Sequence, residues 1–309
     1  MRKNARIYVA GHTGMVGSAL VDHLVSQGYH KIMTPTNRID LTEQKQVYDW
    51  FKYAKPEYVF VCAAKVGGIK ANNQYRADFI YENLMIQTNL IDMAYRFDVR
   101  KLLFLGSSCI YPRHCPQPIK EEYLLGGYLE PTNEPYAVAK IAGIKMVESY
   151  RKQYGCDFIS VMPCNLYGPG DNFNIETGHV IPSLMRKAQT LDHIDVWGSG
   201  KARREFMHVD DLAEAMLFLM QQYSDDLPIN VGTGIDMTIE DLVQAIVEVT
   251  GFKGTVSFDR SMAEGVMHKL LDVRRINQLG WSSKINIYEG LESTYKWLNL
   301  AHDQGHVRV

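Results

Sequence analysis

Tyr136 and Lys140, the ends of the run Tyr136-Ala137-Val138-Ala139-Lys140, set a phenol and an ammonium four residues apart, on one face of a helix. A cation beside a phenol favours the phenolate, so the pair suits general acid/base work on a carbonyl or alcohol, and the ammonium can also hold a ribose. The same spacing describes any tyrosine and lysine on the wet face of an amphipathic helix. Position adds weight to the chemical reading. Pro135 suits the first turn of that helix. Ser107 and Ser108 directly follow an apolar strand, at the sheet edge where open α/β folds bind ligands, and a serine there can donate a hydrogen bond to a substrate oxygen.

A second constellation lies near the N-terminus. Gly11-His12-Thr13-Gly14-Met15-Val16-Gly17 follows a short apolar strand and opens a helix, where backbone N–H groups and the helix dipole favour a diphosphate. This G-x-x-G-x-x-G spacing points to a dinucleotide. After the second strand, Thr34-Pro35-Thr36-Asn37-Arg38 offers no carboxylate before Asp40 and one cation, Arg38, so NADP(H) is expected rather than NAD(H). Arg38 as an ordinary solvated side chain is the alternative.

These groups need a scaffold that brings strand ends together. The first half alternates strands (Arg6 to Ala10, near Ile32, Tyr58 to Ala63, Lys101 to Gly106, Phe158 to Met162) with helices (Met15 to about Gln27, Glu43 to Tyr53, Ala77 to Phe97, Pro135 to Tyr154). That order predicts an α/β fold, a Rossmann-type doubly wound parallel sheet, joined to a smaller α/β substrate-binding domain. From Asn165 the connections lengthen, and Gly168-Pro169-Gly170 breaks the pattern. A helix from Asp210 to Tyr223 and a strand at Ile229 to Val231 return to the first unit. The expected division is 1–165 plus about 208–232 for the NADP-binding domain, and about 166–207 plus 233–309 for the substrate domain.

Composition excludes several functions. With 33 basic and 35 acidic residues the chain has no excess charge for nucleic acid or an anionic membrane. The N-terminal apolar stretch, Ile7 to Ala10, is too short for a signal peptide or a membrane span. Five cysteines without a C-x-x-C pair suggest neither a disulfide framework nor zinc, and a reducing cytoplasm fits best. His208-Val209-Asp210-Asp211 resembles a metal cluster in composition, but its acids suit a helix N-terminus, and no metal is expected.

Gly11 to Gly17, Ser107 and Tyr136-x-x-x-Lys140 together resemble the extended short-chain dehydrogenase/reductase family. Longer strings narrow the likeness: Lys65-Val66-Gly67-Gly68-Ile69, Gly106-Ser107-Ser108-Cys109-Ile110-Tyr111-Pro112, Asn172-Phe173-Asn174, Gly178-His179-Val180-Ile181-Pro182 and Arg204-Glu205-Phe206 are similar to the family's GDP-keto-sugar 3,5-epimerase/4-reductases, from about residue 5 to residue 300. Read alone, Cys109 is a small buried residue past a strand end and His179 a loop histidine. The resemblance makes them an epimerisation pair, with Tyr136 protonating the C4 oxygen, Lys140 lowering its pKa and Ser107 orienting the carbonyl. It implies cofactor contacts at Gly11, Thr13, Gly14, Met15, Val16, Gly17, Arg38, Asp40, Leu41, Ala63, Ala64, Leu105, Gly106, Lys140, Pro163, Asn165, Leu166 and His179. For the substrate it implies Ser108, Asn165, Lys187, Trp197, Arg204 and Asp272. Bacterial relatives carry an arginine in the glycine turn, where this chain has Thr13. The implied reaction converts GDP-4-keto-6-deoxy-D-mannose to GDP-L-fucose. The alternatives are reduction or epimerisation of a related GDP-keto-sugar such as a 6-deoxy-heptose, and nicotinamide binding without turnover. Relatives dimerise through two helices per subunit, here those near Ala77 to Phe97 and Pro135 to Tyr154, in a four-helix bundle.

Overall fold

The computed structural model describes all residues except Thr36, Ala263, Glu264 and 305–309, so Thr36 of the segment expected to read the cofactor ribose lies outside the described residues. In chain order the elements are β1 (Ile7–Ala10), α1 (Met15–Ser26), β2 (Ile32–Met33), α2 (Gln44–Ala54), β3 (Tyr58–Val61), α3 (Ile69–Gln74), α4 (Arg76–Arg96), β4 (Lys101–Leu105), α5 (Glu134–Tyr154) and β5 (Phe158–Pro163). There follow β6 (Asn165–Tyr167), α6 (Val180–Thr190), β7 (His193–Trp197), β8 (Arg203–His208), α7 (Val209–Gln222), β9 (Ile229–Val231), β10 (Asp236–Thr238), α8 (Ile239–Thr250), β11 (Thr255–Asp259), β12 (His268–Lys269), α9 (Arg274–Gln278) and α10 (Ile287–Asp303).

Strands β1, β4, β5 and β9 are buried along their whole length, the signature of a sheet covered on both faces. They belong to a six-stranded sheet of order β2-β1-β3-β4-β5-β9 in which every pairing is parallel. The order reverses between β1 and β3, so α1 and α4 leave the sheet on opposite sides of a crevice at the strands' C-terminal ends. The doubly wound α/β expectation is met. Helix α4 is preceded by the short α3, which the hydrophobic pattern did not suggest because Ile69–Gln74 is mostly polar. Pro135 lies in the first turn of α5, and Gly155, at φ 71°, ends that helix in the left-handed conformation that glycine tolerates.

Two apolar clusters hold the molecule together. The larger fills both faces of the six-stranded sheet, with Phe60, Phe104, Phe158 and Leu90 among its fully buried members. The smaller, containing Phe173, Ile181, Leu184, Met185, Leu242, Ile246, Leu291 and Leu298, joins α6, α8 and α10. Around it, β8 pairs antiparallel with β10 and parallel with β12 and β6, while β7 pairs parallel with β11. Leu271, Ile276 and Trp281, in a stretch expected with the second unit, pack instead against the larger cluster. Between the clusters lies a cleft of about 2020 Å³.

Candidate active site

β1 delivers the chain to Gly11 at φ 88°, and a Cβ there would lie 2.7 Å from the Ala63 nitrogen. A Cβ on Gly17 would lie 2.0 Å from the Gly11 carbonyl oxygen, so only glycine lets α1 start this close to the turn. Gly14 caps α1 without a side-chain hydrogen bond, and no acid occupies the first turn, which leaves the N-terminal N–H groups to an anion. Leu105, Gly106, Pro163, Asn165 and Leu166 line the same cleft from the ends of β4 and β5 and from β6, as do Ala63 and Ala64 after β3. Arg38, exposed, and Asp40 and Leu41 line its far end. Asp40 accepts from the Thr42 backbone N–H at 2.9 Å and hydroxyl at 2.7 Å, and these bonds hold its carboxyl below the usual range. The volume exceeds the roughly 300–1,000 Å³ of a pocket for one small ligand, and suits a dinucleotide with a second nucleotide beside it.

Ser107, Tyr136 and Lys140 meet at the middle of the cleft. The Ser107 hydroxyl accepts from the Cys109 N–H at 3.3 Å, capping a turn of 3-10 helix. The Lys140 ammonium donates to the Leu105 carbonyl at 2.7 Å and sits 5.9 Å from the Tyr136 ring centroid. One expectation is corrected here. Lys140 was to draw the Tyr136 pKa down, yet burial raises it well above the phenol range, with the Cys109 charge adding to the rise and only the Ser107 hydrogen bond opposing it. The physical reason is that the ammonium is turned to a carbonyl and is itself desolvated, which brings Lys140 down to about 8. Tyr136 is therefore a neutral phenol, competent to give a proton.

Cys109, in the turn after β4, and His179, the N-cap of α6, both line the cleft. Burial pushes the Cys109 thiol up, against the Lys269 charge and the Ser107 hydrogen bond, which pull it down. For His179 desolvation in the cleft pulls the imidazole down, but the carboxylate of Asp171, 4.0 Å from Nδ1, outweighs it and the pKa is raised. Asp171 and Lys269 were both missed in the sequence. Asp171 stands just after a Gly168-Pro169-Gly170 turn that reads only as a break in periodicity, and Lys269 lies on a two-residue strand, too short for any pattern. Also unforeseen is a strap over the cleft, in which the Gly68 N–H donates to the Thr177 carbonyl at 2.9 Å and Lys70 pairs with Glu176 at 2.5 Å.

On the second-nucleotide side Ser108, Lys187, Trp197 and Arg204 all line the cleft. Lys187 donates to the Asp195 carbonyl at 2.6 Å, which turns its stem along the wall, and Trp197 keeps 38% of its surface exposed. Arg204 on β8 lies in register with Lys269 on β12, so the two cations share one face. Asp272 is not brought to the cleft. Its carboxylate, 6% exposed, takes a bidentate ion pair from Arg274 with a shortest distance of 2.5 Å, which fixes the start of α9. His208 is likewise spent on structure: its ring accepts from the Asp210 N–H and meets the Ser293 hydroxyl at 3.1 Å.

The model of the NAD dependent epimerase/dehydratase family matches residues 7–232. A putative GDP-L-fucose synthase 2 of Arabidopsis thaliana is 54% identical over 303 residues, covering 96% of this chain and 92% of the relative. The GDP-L-fucose synthase of Escherichia coli K12 is 51% identical over 307 residues, covering 94% of this chain and 96% of its own. Among solved structures, a GDP-mannoheptose C4 reductase from Campylobacter jejuni with NADP bound superposes with a TM-score of 0.87 at 39% identity, covering 97% of this chain and 99% of that one.

Proposed function

Because the chain belongs to the NAD dependent epimerase/dehydratase family, we propose that it converts GDP-4-keto-6-deoxy-D-mannose to GDP-L-fucose, inverting C3 and C5 and then reducing C4. NADP(H) is the cofactor. When bound, NADPH supplies the hydride for C4. The glycine turn holds the diphosphate and Arg38 meets the 2′-phosphate. Ser107 donates to the C4 oxygen throughout, polarising the ketone so that the protons at C3 and C5 become acidic. Cys109 and His179 exchange those protons from opposite faces. Tyr136 then gives its proton to the C4 oxygen, and Lys140 would hold the nicotinamide ribose. Lys187, Trp197 and Arg204 take the GDP moiety; Asp272 is omitted because its carboxylate is committed to Arg274.

One observation carries this reading: a thiol and an imidazole flank the same cleft as the serine, tyrosine and lysine of the reducing site. A reaction that only reduces C4 needs no more than the latter three. The discriminating experiment is incubation with GDP-4-keto-6-deoxy-D-mannose and NADPH in heavy water, followed by NMR and mass spectrometry. Oxidation of NADPH with deuterium at C3 and C5 of the product supports the full reaction. Oxidation without deuterium reduces the protein to a C4 reductase, and cofactor binding without turnover leaves a nicotinamide-binding protein.

The larger apolar cluster supports a cofactor domain of residues 1–165 and about 208–232, with most of the remaining residues forming the nucleotide-sugar domain. A homodimer through α4 and α5 is supported by the outward tyrosines of these packed helices, Tyr95 and Tyr154 stacking at 4.3 Å, with Tyr81 and Val138 exposed toward the other ends of the same helices. Five free cysteines favour a cytoplasmic location, and among the described residues no helix is long and apolar enough to cross a membrane.

A further inference from the structure

Asp171 is 5% exposed, lines the cleft, and has no part in the reaction so far. It is delivered there by the left-handed Gly170, φ 77°, and held by its own N–H donating to the Gly168 carbonyl at 3.3 Å. One carboxylate oxygen, Oδ1, accepts from the Asn172 N–H at 2.7 Å and lies 4.0 Å from His179 Nδ1. The other, Oδ2, is buried with no hydrogen-bond partner among the described residues. A buried carboxylate with an unsatisfied oxygen is an expensive arrangement unless a cation or donor shares the site. The imidazole of His179 is the group within reach, and 4.0 Å is an ion-pair separation that closes to a hydrogen bond with a modest rotation of the ring.

We propose that Asp171 is a positioning residue for His179: it holds the Nδ1 proton, turns Nε2 toward the sugar, and keeps the ring charged for the proton-donor role that the epimerisation gives it. Cys109 is then the group that removes the proton. The thiol first gives its proton to solvent, the carbon proton passes to the thiolate sulfur, and the Nε2 proton of the imidazolium passes to the opposite face of the same carbon. Solvent restores both groups. The charges around the pair agree with this direction, since the cation Lys269 is the charge with the largest effect on Cys109 and the anion Asp171 the one acting on His179. Other charged groups near the imidazole are engaged elsewhere. Lys70 and Glu176 pair with each other on the rim, and Lys187, two turns along α6, donates to the Asp195 carbonyl.

This inference rests on the epimerase half of the proposed function, but its first test does not. In histidine-labelled protein the His179 resonances, assigned with His179→Gln, are titrated by NMR in the wild type, Asp171→Asn and Asp171→Glu. His179 should titrate above an ordinary histidine in the wild type, fall by about one pKa unit in Asp171→Asn, and recover in part in Asp171→Glu. A wild-type value at or below the ordinary one, or no change in Asp171→Asn, overturns the proposal. In the second test, deuterium exchange at C3 and C5 should fall about 10- to 100-fold in Asp171→Asn above pH 7 and much less at pH 6, as the basic limb moves down. NADPH binding, read by fluorescence, should not change. Equal loss of exchange and NADPH binding at every pH means that Asp171 only supports the fold, and overturns the proposal. A shifted His179 titration in a wild type that exchanges no deuterium keeps the positioning role and discards the epimerase.

Discussion

At Tyr136 and Lys140 the structure separates two effects that the spacing of the residues merges. Four residues along a helix guarantee a shared face, but the direction of a pKa shift depends on what the ammonium touches and how much water remains. Burial lowers Lys140 to about 8, with the Cys109 and Cys62 thiols opposing the shift, so the ammonium loses its charge as pH rises through about 8. The expected consequence is a basic limb near that value in kcat/KM for NADPH-dependent reduction, which reports the free enzyme. Lys140→Met should lack the limb and turn over slower by roughly 10²- to 10⁴-fold. A limb retained at the same pH in the variant assigns it to another group. The residue types of the reducing site were legible because strand end, proline and helix fix their positions in the fold. The neighbours that tune them were not: Asp171, Lys269 and the carbonyl of Leu105 are close only through tertiary packing, and no spacing in the sequence encodes that.

The glycine turn and α1 form the element on which cofactor binding depends. Because a Cβ on Gly17 would meet the Gly11 carbonyl oxygen at 2.0 Å and the His12 Cα at 2.8 Å, Gly17→Ala must push the first turn of α1 away from β1. That displacement should cost about 1–3 kcal/mol in stability, as overpacking does, and weaken NADPH binding by tenfold or more. Thermal melts with and without NADPH check both: the variant should melt lower and gain less from the cofactor than the wild type. Undiminished stabilisation by NADPH would mean that the diphosphate does not sit on this turn. This element was readable from a strand, three glycines and a helix in sequence. The small sheet that β6, β10 and β12 build on β8 was not, because strands of two or three residues carry no period-2 signal and are held mainly by pairing to β8.

Across the whole molecule Glu205 is the tie between the two cores. Its carboxylate, 1% exposed, accepts from the Gly234 N–H at 2.7 Å and the Leu271 N–H at 2.9 Å, and its carbonyl accepts from the Asn165 amide at 2.8 Å. Burial raises its pKa against those backbone donors. A carboxyl with a raised folded-state pKa binds its proton more tightly folded than unfolded, so its contribution to stability is largest below the ordinary value and declines as pH rises through the folded one. Glu205→Gln should therefore flatten the fall of melting temperature on the alkaline side of pH 4.5, and Glu205→Ala, which orphans two buried N–H groups, should cost several kcal/mol at neutral pH. An Ala variant as stable as wild type would remove Glu205 from this role.

The placement of the reacting side chains on the two cores has a further consequence. Ser107 follows β4, and Tyr136 and Lys140 lie on α5, elements whose apolar residues belong to the larger one. Cys109 follows β4, while His179 begins α6, whose Ile181, Leu184 and Met185 are anchored in the smaller core. The groups proposed for reduction thus stand on one core, whereas those proposed for inversion are divided between the two, so a substitution that shifts one core against the other should reach the stereochemistry before it reaches hydride delivery.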